Sequence, residues 1–130
     1  MGRVWPWALV AIHLAAVFYL SSQPNPLPEL TSRFWDKGLH FVEYGTLGAL
    51  LVFALRRSGA GPRAALLLAV AGASVYGASD EVHQAFVPGR SCDALDWLAD
   101  SLGGAVGASL LALALRASRA PASIRRALGG

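Results

Sequence analysis

Asp80-Glu81-Val82-His83-Gln84-Ala85-Phe86-Val87-Pro88-Gly89-Arg90-Ser91-Cys92-Asp93-Ala94-Leu95-Asp96-Trp97-Leu98-Ala99-Asp100 holds five of the eight carboxylates of the chain and lies between two long apolar runs. Its middle, Pro88-Gly89-Arg90-Ser91, has the composition of a turn, because proline and glycine punctuate helices. Asp93 follows as a residue able to accept hydrogen bonds from the first amides of a new helix. The stretch therefore reads as a helical hairpin, with acids on both arms.

Composition says what kind of protein carries such a hairpin. The 130 residues make room for one domain. Hydrophobic residues are 55% of the chain, charged residues 15%, and mean hydropathy is +0.47. That is too apolar for an ordinary water-facing surface, and the class is integral membrane protein. A net charge of +3 and a pI near 9.6 would also suit a nucleic-acid partner, but the basic residues are dispersed among apolar segments with no aromatic–basic platform. Nucleic acid is not expected, and membrane topology explains the charge better. Cys92 stands alone, so no disulfide forms within the chain, and no paired spacing of a zinc or redox site surrounds it.

The pattern predicts an all-α bundle of four transmembrane helices, at about residues 5–22, 37–55, 63–86 and 93–116, forming a single domain over 1–116 with a basic tail at 117–130. Each span has roughly 20 residues, which at about 1.5 Å per residue crosses a hydrocarbon core of about 30 Å. The first run has the layout of a signal peptide, but no small-x-small site precedes Gln23, so a retained helix is expected. His13 near its centre is expected to hydrogen-bond a neighbouring helix. Pro24, Pro26 and Pro28, with Thr31, Ser32 and Arg33, predict an extended aqueous loop over the bundle mouth. Arg56-Arg57-Ser58-Gly59 closes the second span, and Pro62 opens the third.

Lysine and arginine set the orientation. The amino terminus, the second connection and the carboxyl terminus carry eight basic residues and no acid, whereas the other side mixes Arg33, Lys37 and Arg90 with Glu29, Asp36 and Asp93. The positive-inside rule predicts both termini in the cytoplasm, with the tail either along the anionic lipid surface or simply frayed. On that topology Glu43, Asp80 and Asp100 each lie about 9–10 Å below the outer boundary. A charge facing lipid near a helix centre costs about 2.5–3.5 kcal/mol on insertion scales. The three acids are therefore expected to face one another across a polar pocket open to the outer side.

Helical spacing points the same way. Asp96, Asp100, Gly103 and Gly107 form one stripe; Gln84, Asp80, Gly77 and Ala73 form another; His40, Tyr44 and Gly48 form a third, with Lys37 one turn above. The small residues, Gly103-x-x-x-Gly107 above all, let helices approach closely. The stripes are predicted to pack below and enclose polar groups above.

Lys37-x-x-His40-x-x-x-Tyr44, then Asp80-Glu81-x-x-Gln84-x-Phe86-x-Pro88-Gly89-Arg90, then Asp93-x-x-Asp96 and Asp100-x-x-Gly103-x-x-x-Gly107, resembles the VanZ-like membrane protein family, most closely from Asp36 to Gly107. The resemblance implies a compact multi-pass protein of the bacterial cell membrane, related to a teicoplanin-resistance protein. Asp100 departs from the asparagine frequent in the family, and His83 is not part of the family pattern.

Three functions compete for the polar pocket of Lys37, His40, Glu43, Tyr44, Asp80, Glu81, Gln84, Arg90, Asp93, Asp96 and Asp100. In the first it binds the head group of a membrane lipid or lipid-linked cell-wall precursor, with Arg90, Lys37 and His40 donating to phosphate and the acids holding these cations or sugar hydroxyls. In the second it is catalytic, with His40, Glu43 or Asp80 as candidates for proton transfer and the acids sharing a proton or an Mg²⁺ or Ca²⁺ ion. In the third the charges are a buried network that locks the helices, with Arg90 clamped onto the acids of the fourth span. No nucleophile or phosphatase motif accompanies the acids, so an enzyme is the less favoured class, and no cofactor or resident metal is expected. A proton pathway is disfavoured because spans two to four have no carboxylate in their cytoplasmic halves.

Overall fold

A computed structural model describes residues 4–24 and 33–118, with side chains from 36 onward in the second segment. The expected proline-rich loop, with Glu29, and the expected placement of the tail beyond Ser118 fall outside the described residues. Four helices follow in order: α1 Trp5–Ser21, α2 Arg33–Arg57, α3 Pro62–Gln84 and α4 Ala94–Ala117. The all-α architecture is as expected. α2, α3 and α4 contain segments long and apolar enough to cross a membrane, Asp36–Arg57, Pro62–Gln84 and Ala94–Ser118. α1 is as apolar but has 17 residues, or about 26 Å of helix.

Two boundaries differ from the expected spans of 37–55 and 63–86. α2 begins at Arg33 because backbone hydrogen bonding runs on past the polar residues that mark where a membrane would end. α3 stops at Gln84 because the chain tightens there: Phe86 N donates to His83 O and Val87 N to Gln84 O, both at 3.0 Å. Such i→i+3 bonds end a helix, and the residue before Pro88 is pushed out of helical geometry. Gly89 then turns the chain with φ +80°, a backbone conformation suited to glycine. Asp93 caps α4 as its sequence position predicts, accepting from Leu95 N at 2.8 Å.

α2 and α4 form the closest pair in the bundle. A Cβ built on Gly48 would overlap the Gly104 carbonyl, one on Gly103 the Phe41 carbonyl, and one on Gly107 the Gly45 carbonyl. The two helices touch backbone to backbone, as small residues permit in lipid. Gly77 of α3 plays a different part: its missing Cβ leaves room for the Asp100 carboxylate, whose Oδ2 would lie 2.9 Å from such an atom. Val10 and Val17 of α1 close the core against Tyr44, Leu47, Ala54 and Ala73. Val52, Ala69 and Ala108 form a second cluster nearer the other end.

α1 packs mainly against α2 and also touches α3. Its first turn meets the end of α2, where the Trp5 and Phe53 rings are 5.3 Å apart and Trp7 Nε1 donates to Ser58 Oγ at 2.9 Å. Its last turn reaches the hairpin end, where Ser22 Oγ and His83 Nε2 are 3.0 Å apart. Between them His13 Nε2 donates to the Glu43 carbonyl at 3.0 Å, the interhelical role expected of it, and the Tyr76 hydroxyl donates to Leu14 O at 2.8 Å. Leu67, Val75, Val82, Leu110 and Leu113 point outward, all more than half exposed. They give the bundle an apolar exterior suited to lipid.

Candidate functional site

The described carboxylates all gather at the hairpin end, on α2, α3 and α4. Lys37, in the second turn of α2, reaches two acids at the start of α4, Asp93 Oδ2 at 3.0 Å and Asp96 Oδ1 at 2.5 Å. One turn deeper, His40 Nδ1 meets Asp100 Oδ1 at 2.8 Å. Because Lys37 and His40 are three apart and Asp96 and Asp100 four apart, the two pairs stack as rungs between the same two helix faces. The deeper rung is the more buried, with His40 side-chain exposure at 7% and Asp100 at 0%.

α3 supplies the remaining acids. Asp80 Oδ2 accepts from Gln84 Nε2 at 3.2 Å, one turn along the same face. Glu81 Oε2 accepts the Asp93 backbone amide at 2.7 Å, so α3 also fastens the start of α4. Among the described residues, the buried Glu81 Oε1 and Asp100 Oδ2 have no hydrogen-bond partner, and the same holds for the Tyr44 hydroxyl deeper in the bundle.

Beside the rungs is a cavity of about 200 Å³. Its walls are of two kinds: Val17, Leu20, Leu39 and Val42 are aliphatic, while Asp36, His40, Glu43, Asp80, Gln84 and Arg90 are polar. A second and more polar recess shares Asp36, Gln84 and Arg90 and adds Pro24, Gly89, Ser91 and Asp96. Arg90 borders both. Among the described residues its guanidinium makes no salt bridge, so the expected clamp onto the acids of α4 is not formed; Lys37 occupies Asp93 and Asp96 instead.

The residues singled out in sequence thus separate into groups. His40, Glu43, Asp80, Gln84 and Arg90 line the cavity, Lys37, Asp93, Asp96 and Asp100 form the rungs, and Glu81 and Tyr44 are buried behind them. Gly48, Gly103 and Gly107 belong to the α2–α4 seam and Gly77 to the Asp100 niche. Sequence spacing missed Asp36, which lies four residues before His40 and hence on its face, and Gly45 and Gly104, which complete the seam. It also missed the α1 wall of Val17, Leu20 and Ser21, for which the apolar run carries no signal.

The family model described as VanZ/LLP1 matches residues 5–115. No curated protein and no solved structure matches the chain. The match takes in all four helices and both rungs, and the chain belongs to the VanZ/LLP1 family of membrane proteins.

Proposed function

We propose that this protein is a four-span protein of the cell membrane whose cavity at the outer leaflet takes the head group of a lipid or lipid-linked cell-wall precursor, and that it contributes by this route to glycopeptide (teicoplanin) resistance. One observation carries the reading: Arg90 borders the cavity without a salt bridge among the described residues, facing a wall that is aliphatic on one side. A planar guanidinium is suited to bidentate contact with phosphate. The neighbouring carboxylates are acceptors for sugar hydroxyls. At about 200 Å³ the cavity is smaller than the roughly 300–1,000 Å³ typical of drug-sized ligands, so it fits a head group while the acyl part stays in the bilayer.

Topology supports placing the cavity on the outer side. α1 runs from Ser58 at the end of α2 to His83 at the hairpin end of α3, which favours four crossings over three. Arg56, Arg63 and Arg116 converge on a recess at the end opposite the hairpin, where the described chain has no acid. Under the positive-inside rule that end, with both termini, is cytoplasmic.

The test is native mass spectrometry of the purified protein beside Arg90→Ala. Wild type is expected to retain an anionic lipid, and the variant to lose it at least tenfold while staying abundant in membranes, since loss of a charge-assisted pair is worth at least about 1.4 kcal/mol. Recovery of only uncharged, non-specific lipids by wild type, with no change in glycopeptide susceptibility on expression, would sink the proposal. The His40–Asp100 pair supports a second reading, because a carboxylate on Nδ1 leaves Nε2 as the nitrogen for proton transfer. Bond cleavage in a lipid-linked substrate, lost in His40→Asn with lipid retention intact, would give that reading precedence.

A further inference from the structure

We infer that His40, Glu81 and Asp100 form a binding site for a divalent first-row metal ion, with Zn²⁺ the best match. One donor atom from each residue lies within 4.8 Å of the other two, and the three come from α2, α3 and α4. All three residues are buried, at 5%, 3% and 0% exposure. The trio is more than a patch of acid, because it contains an imidazole and because, among the described residues, two of its buried oxygens, Glu81 Oε1 and the Asp100 Oδ2 that sits in the niche beside Gly77, have no hydrogen-bond partner. A buried carboxylate oxygen without a partner is costly, and a bound cation removes that cost.

Charge at this end leads to the same site. Seven described carboxylates face Lys37, Arg90 and His40. Lys37 is committed to Asp93 and Asp96, Arg90 borders the cavity, and among the described residues no ammonium or guanidinium forms a salt bridge with Glu81 or Asp100. A second trio, Asp36, His40 and Asp96, has comparable spacing. It is the weaker site: Asp96 already holds Lys37 at 2.5 Å and Asp36 is only half-buried. One imidazole with two carboxylates suits Zn²⁺ better than Mg²⁺ or Ca²⁺, which prefer oxygen throughout. Three protein ligands leave a fourth position open, and His40 is the ligand that also lines the cavity. The sequence pattern offers an Mg²⁺ or Ca²⁺ ion only within its catalytic alternative and expects no resident metal; the buried imidazole and partnerless oxygens point instead to a softer ion.

The site shares His40 with the proposed head-group cavity but does not rest on it, because metal content is read without any lipid. The full chain, with any purification tag removed, is stripped with a chelator in detergent, equilibrated with Zn²⁺ and measured by elemental mass spectrometry. About one Zn²⁺ per chain is expected. Glu81→Gln and Asp100→Asn should each weaken uptake about tenfold or more, Asp36→Asn should leave it unchanged, and Arg90→Ala should keep the metal while losing the head group. Uptake below about a tenth of an equivalent in wild type overturns the site, as does equal uptake in wild type and both ligand variants, or loss in Asp36→Asn. Should the ligand variants fail to fold, X-ray absorption of Zn²⁺-loaded wild type decides: one imidazole with oxygen ligands at about 2.0–2.2 Å supports the site, and a shell without imidazole refutes it.

Discussion

Lys37 shows how one side chain organises its surroundings. Its ammonium serves two acids of unequal burial, Asp96 with 9% side-chain exposure and Asp93 with 39%. Removing it strands Asp96 more than Asp93. Breaking a fully buried pair costs about 3–5 kcal/mol, and because Lys37 keeps 30% exposure we expect about 1–3 kcal/mol for Lys37→Met. Thermal unfolding in detergent should show that loss, with Asp93→Asn milder; an unchanged melting temperature in Lys37→Met would refute the rung as a structural element. The acids and their depth are legible in sequence, since steps of three and four put His40, Asp80 and Asp100 on defined faces. Which cation serves which acid is not. That choice depends on register between positions 56 and 59 residues apart, and spacing within one helix carries no information about it.

At the level of elements, the α2–α4 seam ranks the glycines by what a methyl group would meet. Gly107→Ala and Gly48→Ala place it on a carbonyl of the facing helix and should force the pair apart. Gly45→Ala, whose nearest contact would be 3.4 Å from Gly103 O, should be milder. Gly38→Ala meets nothing within 4 Å, and should stabilise α2 by roughly 0.5–1 kcal/mol through helix propensity. Unfolding midpoints of these four variants check the order, and Gly107→Ala ranking with Gly38→Ala would contradict backbone contact. Sequence marks Gly103-x-x-x-Gly107 as a packing face, yet not its partner, because Gly45 reads as an isolated residue until the facing carbonyl is known. The ends of α2 and α3 were hidden for another reason: hydropathy records where lipid begins, and helices end where hydrogen bonding ends.

For the whole molecule, the hairpin and the Arg56–Arg63 connection occupy opposite ends, and the proposed topology would put one on each side of the membrane. Cys92 is exposed in the hairpin and free of any disulfide. A thiol reagent unable to cross membranes should label it on intact cells, whereas a cysteine substituted for Ala60 in a Cys92→Ser background should be labelled only after the membrane is opened. Reversal of that pattern inverts the proposed orientation and moves the cavity to the cytoplasmic leaflet. Class and helix number were plain in composition because 55% hydrophobic residues leave few other folds. The cavity was harder to foresee, since one of its walls is an apolar helix with no motif.

That wall also makes the bundle mechanically uneven. At the glycine contacts of α2 and α4 there are no side chains to rotate, so that stretch of the seam is stiff. α1 is held by a few hydrogen bonds near its two ends and its middle, by ring contacts of Trp5 and Phe18, and by valines. The aliphatic side of the cavity is therefore the side expected to yield, and widening it would displace α1 sideways while both rungs keep their geometry.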